Sequence, residues 1–206
     1  MPALEQLRSE VEAHSGQFRC SEIHREKNAK TVRFRHVGTP PGDNSSLPDV
    51  MGLRDFYSTY GQLTLYLDEQ SGDAAYFLAN PSQWQELDSE FRPWLECVDP
   101  DEADDCLPDW IGGCIVVGEI PRSGNYLLVP TAGPEAGKVI EFEHDGFEFI
   151  ELGTSLPDFV ARSLDLDTDR LTAIASHVRF IEAGDQRQWW IEEMTDNRGN
   201  VIRTEA

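Results

Sequence analysis

The sequence predicts a mixed α and β protein folded as one domain. Short runs of alternating apolar and polar residues meet across turn signals, and between them lie segments whose apolar residues recur at helical spacing. No linker divides the 206 residues, a length at which a globule buries roughly 70% of the surface its unfolded chain exposes. A core of that size needs neither a disulfide nor a metal to hold it together.

The elements follow in order. Leu4, Leu7 and Val11 fall at i, i+3 and i+7, a short amphipathic helix that Gly16 stops. Val32, Phe34 and His36 alternate with Thr31, Arg33 and Arg35, predicting a hairpin around the polar Arg25 to Lys30 connection with a basic outer face. GTPPGDNSSLP, residues 38 to 48, is a loop by composition. Pro48-Asp49 is expected to open a helix with Val50, Leu53, Phe56 and Tyr57 on one face and Gly61 as its cap. Leu63, Leu65 and Leu67 alternate as a strand, and Ala74 to Ala79 is a second short apolar run. Pro81 to Glu96 reads as a helix carrying Trp84, Leu87, Phe91, Trp94 and Leu95.

Trp110 to Glu119 and Asn125 to Pro130 are apolar, β-branched runs about Pro121-Arg122-Ser123-Gly124, a hairpin signal. The next pair lies in GKVIEFEHDGFEFIELGTSLPDFV, residues 137 to 160. A two-residue turn at Asp145-Gly146 sets His144 opposite Phe147, Glu143 opposite Glu148 and Phe142 opposite Phe149. Ile140, Phe142 and Phe149 then share a buried face, while Glu141, Glu143 and Glu148 share the other with Val139 and Ile150. Glu143 and Glu148 repel when directly opposed, which suits a wet face or a basic partner. Helices follow at Leu156 to Leu164, capped by Thr154 or Ser155, and at residues 169 to 177 with Leu171, Ile174 and Ala175 inward. A last hairpin joins Gln188 to Glu192 with Val201-Ile202 around Asp196 to Gly199. Trp189 and Trp190 point to opposite faces of that strand, so one stays partly exposed or lies under another element.

Charge and cysteine usage narrow the function. Seventeen basic against 38 acidic side chains give a formal charge of -21, which repels phosphate backbones and anionic lipid and argues against a nucleic-acid or membrane partner. Residues 1 to 37 carry a net of +2, leaving -23 for the rest, so an electrostatic partner of that larger part is basic. Cys20, Cys97, Cys106 and Cys114 form no Cys-x-x-Cys pair and read as reduced, structural thiols. The opening MPALEQLRSEVEAHSG has neither a basic n-region nor an apolar h-region, and the expected location is the cytoplasm, without a membrane anchor.

No catalytic signature stands out, and no cofactor or metal is expected. Gly153-Thr154-Ser155-Leu156-Pro157 breaks the nucleophile-elbow pattern at its last position. Asp165 to Asp169 copies the first half of an EF-hand loop, but Arg170 stands where its glycine belongs and Ser176 where its closing Glu belongs, so helix capping is the reading. A catalytic His144 needs a second histidine or carboxylates supplied from elsewhere in the chain, and the sequence assigns it to the turn. Glu96 to Asp109 holds seven carboxylates and no basic residue: Glu96, Asp99, Asp101, Glu102, Asp104, Asp105 and Asp109. That density requires a solvated loop, a cation or a basic partner.

Three segments in order, LPDVMGLRDFYSTYG (47 to 61), WIGGCIVVGEIPRSGNYLLVP (110 to 130) and GKVIEFEHDGFEFIELGTSLPDFVARSL (137 to 164), resemble the SUKH superfamily. The family includes a fungal regulator of cell-wall glucan synthesis and many bacterial immunity proteins. The resemblance implies an α+β fold, a single domain with a twisted, mainly antiparallel sheet and helices packed around it. It also implies a non-enzymatic protein-binding role, with toxins of intercellular competition, many of them nucleases, as partners. The basic N-terminal hairpin and the Trp-Trp hairpin lie outside the pattern, whose core match is 47 to 164. With the charge reading, the expected partner-binding carboxylates are Asp99, Asp101, Glu102, Asp104, Asp105, Asp109, Glu141, Glu143 and Glu148, facing a basic toxin domain. The alternatives are a regulatory scaffold of the same family and, from a different class, an enzyme or small-ligand binder using His144, Trp110 and the acidic loop.

Overall fold

The computed structural model describes residues 4–43, 45–98 and 106–205. Its strands are β1 (Ser15–Glu22), β2 (Arg25–Gly38), β3 (Leu63–Leu67), β4 (Tyr76–Leu78), β5 (Cys114–Ile120), β6 (Asn125–Pro130), β7 (Val139–Glu143), β8 (Glu148–Gly153), β9 (Trp189–Asp196) and β10 (Val201–Arg203). They form one open antiparallel sheet in the order β10-β9-β1-β2-β3-β4-β5-β6-β7-β8. The helices are α1 (Leu4–Ala13), α2 (Leu53–Thr59), α3 (Trp84–Leu95), α4 (Leu156–Ser163) and α5 (Thr168–His177), with single 3-10 turns at Pro81–Gln83 and Ile111–Gly113. The fold is α+β.

Two apolar cores lie on opposite faces of this sheet. On one, Leu7 and Val11 of α1, Phe56 and Tyr57 of α2, Phe159 and Val160 of α4, and Leu171 and Ile174 of α5 pack on Phe18, Phe34, Leu65, Leu127 and Val139. On the other, Leu87 and Phe91 of α3 pack on Val116, Tyr126, Leu128 and Phe142. The middle strands are therefore buried on both sides, which explains why β6 is apolar without alternation.

Three element boundaries differ from the sequence reading. Arg25 to Lys30 is the first part of β2, and the turn shrinks to Ile23-His24. Strand pairing uses backbone groups, so a run of polar side chains pairs freely where it faces water. Helix α2 starts at Leu53, because Gly52 adopts a left-handed φ of 75° that a helix interior does not contain. A side chain there would collide with Ser155, whose Cβ lies 2.7 Å from the position of a glycine Cβ. The β7–β8 turn spans residues 144 to 147 and places Phe147, not Asp145-Gly146, in the left-handed region, at φ 54°. The paired register still sets Phe142 opposite Phe149 and Glu143 opposite Glu148. The expected caps are present: Asp167 accepts from Arg170 N, and Ser155 from Asp158 N. All four cysteines are free.

A buried histidine pair ties α1, β1, β2, β3 and β9 together. Tyr66, at φ 58°, donates its backbone N–H to His36 Nδ1 at 3.0 Å. A neutral His36 thus carries its proton on Nε2 and donates it to His14 Nδ1 at 2.7 Å, and His14 Nε2 in turn faces Asp196 Oδ2 at 3.4 Å. Burial lowers the pKa of both imidazoles, that of His36 to about 3, with His14 and Arg198 pushing His36 in the same direction. Since the unfolded histidines bind protons at pH values where the folded ones do not, stability is fully present above pH 6.5 and is lost as pH falls toward the folded pKa. A tenfold difference in proton affinity between the two states is worth about 1.4 kcal/mol. Urea unfolding across pH should show a loss of a few kcal/mol between pH 6.5 and 4, and His36→Gln, though less stable at neutral pH, should lose less over that window.

Candidate functional site

The turns of the β5–β6 and β7–β8 hairpins lie side by side at one end of the sheet. Their contact is close: a Cβ on Gly124, which sits at φ 89°, would lie 3.3 Å from His144 Nδ1. The left-handed backbone favours glycine at that position, and any side chain there would press on the imidazole.

Asn125 opens β6 and is fully buried. A buried amide needs partners for its oxygen and its nitrogen. Its Nδ2 donates to Glu141 Oε1 at 2.7 Å, while its Oδ1 accepts from His144 Nδ1 at 2.8 Å and from His144 N at 3.2 Å. Glu141 lies on the same sheet face as Leu127, its partner across the strand pair. His177, the last residue of α5, brings its Nε2 to 3.8 Å from Glu141 Oε1. Burial pushes the Glu141 carboxyl up, against the Asn125 hydrogen bond, and pushes His177 down. His144 rests against the Trp94 ring, with centroids 5.0 Å apart, and its Nε2 lies 3.1 Å from Asp145 Oδ1.

Asn125 thus links His144 to the Glu141 carboxylate of β7, which in turn lies beside His177 of α5. Asn125, His177 and Trp94 are the members of this cluster that motif reading passes over. One signal was available: an asparagine heading an otherwise apolar run needs a buried partner.

The expected partner-binding carboxylates separate. Asp99, Asp101, Glu102, Asp104 and Asp105 lie outside the described residues. Asp109 and Glu148 are exposed. Glu141 is 6% exposed, which corrects its expected place on a wet face: Asn125 and the end of α5 cover it. Glu143 is half-buried and caps its own turn, accepting from Asp145 N at 3.1 Å and Gly146 N at 2.5 Å. Among the described residues, Glu143, His144 and Asp145 each bring a potential ligand atom within 4.8 Å of the others.

Both flanks of the acidic connection touch this hairpin. Trp94 of α3 contacts His144, and Trp110 lies edge-on to Phe149 of β8 at 5.6 Å. Beside Trp110 an open groove of about 550 Å³ is lined by Pro108, Asp109, Gly113, Ala132 and Pro134. The edge strand β8 presents Glu148, Ile150 and Glu151 to solvent. No helix among the described residues is long and apolar enough to cross a membrane. No known protein family, curated protein or solved structure matches the chain.

Two substitutions separate the roles in the cluster. Asn125→Ala leaves buried partners unsatisfied and should destabilise the protein by about 1–3 kcal/mol in urea unfolding. Glu141 has a folded pKa above its unfolded value, so its ionisation opposes folding increasingly as pH rises past the unfolded value. Glu141→Gln, which retains an acceptor for Asn125, should therefore gain stability at pH 7.5 relative to the parent, with the gain shrinking toward pH 4.

Proposed function

We propose that this chain is a non-enzymatic protein-binding domain, an immunity-type protein that neutralises a basic, nuclease-type toxin by covering it with an acidic edge. The observation that carries the reading is the attachment of the acidic connection to the β7–β8 hairpin at both flanks, through Trp94 on His144 and Trp110 on Phe149. Carboxylates that are distant in sequence, Glu96 and Asp109 on the connection and Asp145 and Glu148 on the hairpin, consequently belong to one edge of the molecule.

The physical division of labour is between steering and anchoring. A net charge of -21 accelerates encounter with a cationic surface and competes with the nucleic acid such a surface grips. Long-range charge alone gives rate more than residence, which needs apolar anchors at the centre of the contact. The groove beside Trp110 and the exposed Ile150 are suited to that part, with carboxylates as the rim. Glu141 and Glu143 act one step back, the first through Asn125 and the second by holding the turn that displays Asp145.

Affinity capture from the protein's own cells at low and high salt tests the reading. A basic toxin domain should be retained at low salt and released at high salt. Converting Asp101, Asp104, Asp105 and Asp109 to Asn should weaken that complex at least about tenfold and flatten its salt dependence. Unchanged affinity would sink the electrostatic mechanism, and recovery of envelope or metabolic proteins indifferent to salt would favour a regulatory scaffold.

A further inference from the structure

The tautomer of His144 is set by its neighbours. Asn125 commits Nδ2 to Glu141, so the atom it turns toward His144 is Oδ1, an acceptor. The proton of a neutral His144 ring accordingly sits on Nδ1, and Nε2 carries a lone pair. That lone pair faces a carboxylate oxygen, Asp145 Oδ1, at 3.1 Å. Two acceptors at such a distance repel unless a cation lies with them.

A bare proton on Nε2 is one answer, but the surroundings are built for more. A second carboxylate, Glu143, brings an oxygen within 4.8 Å of ligand atoms of His144 and Asp145, and the hydrogen bonds its carboxylate accepts from Asp145 N and Gly146 N hold it there. Imidazole ligands of metals characteristically donate their other ring N–H to a carbonyl or carboxylate, which orients the ring and raises its basicity. His144 does so to the Asn125 carbonyl, which Glu141 holds in turn from below. The orienting groups, Asn125 of β6 and Glu141 of β7, stand apart from the three ligands, which are Glu143 at the end of β7 and His144 and Asp145 in the turn after it. His177 adds a second imidazole from α5, beside Glu141.

We infer that the tip of the β7–β8 hairpin is a binding site for a divalent transition-metal ion such as Zn²⁺, with His144 Nε2, Asp145 and Glu143 as ligands and Asn125 as the positioning residue. One imidazole nitrogen with two carboxylates selects a borderline ion over Mg²⁺ and Ca²⁺, which prefer oxygen alone. Three protein ligands leave a fourth position open for water or for a side chain brought by another molecule. The inference stands on the hairpin tip and does not depend on the protein-binding role.

Isothermal titration of the full chain with ZnCl₂ and, separately, MgCl₂ tests it, alongside histidine ring NMR. The expected result is one Zn²⁺ per chain, no comparable Mg²⁺ binding, and an Nδ1–H tautomer of His144 whose Nε2 resonance moves on Zn²⁺ addition. Asp145→Asn, on an exposed turn position that leaves the core intact, should weaken binding about tenfold or more, as should His144→Gln. Asn125→Ala should weaken it about tenfold through orientation alone. Zn²⁺ binding that persists undiminished in Asp145→Asn and His144→Gln would overturn the assignment. So would a His144 ring protonated on both nitrogens and indifferent to Zn²⁺, which would mean that a proton alone occupies the gap.

Discussion

Strand β6 is buried along its whole length and hydrogen-bonded on both edges, and the architecture depends on that constraint. A strand with no wet face must be covered from two sides, so Leu127 and Val129 enter the core under α1, α2, α4 and α5, while Tyr126 and Leu128 enter the one under α3. Helices must therefore sit on both faces of the central sheet, even though the outer strands keep one face in solvent. Arg19, Arg33 and Arg35 are exposed on that outer part, opposite the inward Phe18 and Phe34. The basic side chains of the N-terminal hairpin thus occupy its wet face.

The same constraint makes the candidate site. Where β6 begins, its first residue is still inside the protein, and a polar side chain there is tolerated only with both ends satisfied. Asn125 meets that condition by joining Glu141 on one side to His144 on the other. The two hairpin turns are thereby locked together, and the imidazole is held with one nitrogen turned outward beside two carboxylates. Packing of Trp94 and Trp110 against this hairpin brings both flanks of the acidic connection to it. Protein binding and metal binding would thus draw on a single polar anchor at the start of β6.

The buried His14–His36–Asp196 chain is a comparable device at the other half of the sheet. It fixes the end of α1 to β1, β2, β3 and β9 through directional bonds, where apolar contacts alone would allow several arrangements. Its cost is acid sensitivity, because neither imidazole can accept a second proton without losing a partner.

Much of this was legible in the sequence. Helix spacing at Leu4, Leu7 and Val11, alternation at Val32 to His36, and the Phe142–Phe149 register follow from local periodicity, which reports which face of an element is buried. The caps at Ser155 and Asp167 are equally local. What periodicity does not carry is the identity of whatever covers a face. Glu141 reads as a wet residue beside Glu143 in any strand register, and only the docking of α5 and the reach of Asn125 from a neighbouring strand bury it. His144 reads only as a turn residue because its partners Asn125 and Trp94 lie 19 and 50 positions away. The extents of its turn and of α2 go with positive φ values at Phe147 and Gly52, the latter pressed against Ser155. The chain by itself determined the α+β class, four of the hairpins and the acidity. Tertiary structure alone decided which polar groups meet, because contacts between distant residues depend on how whole elements stack and leave no repeat in the sequence.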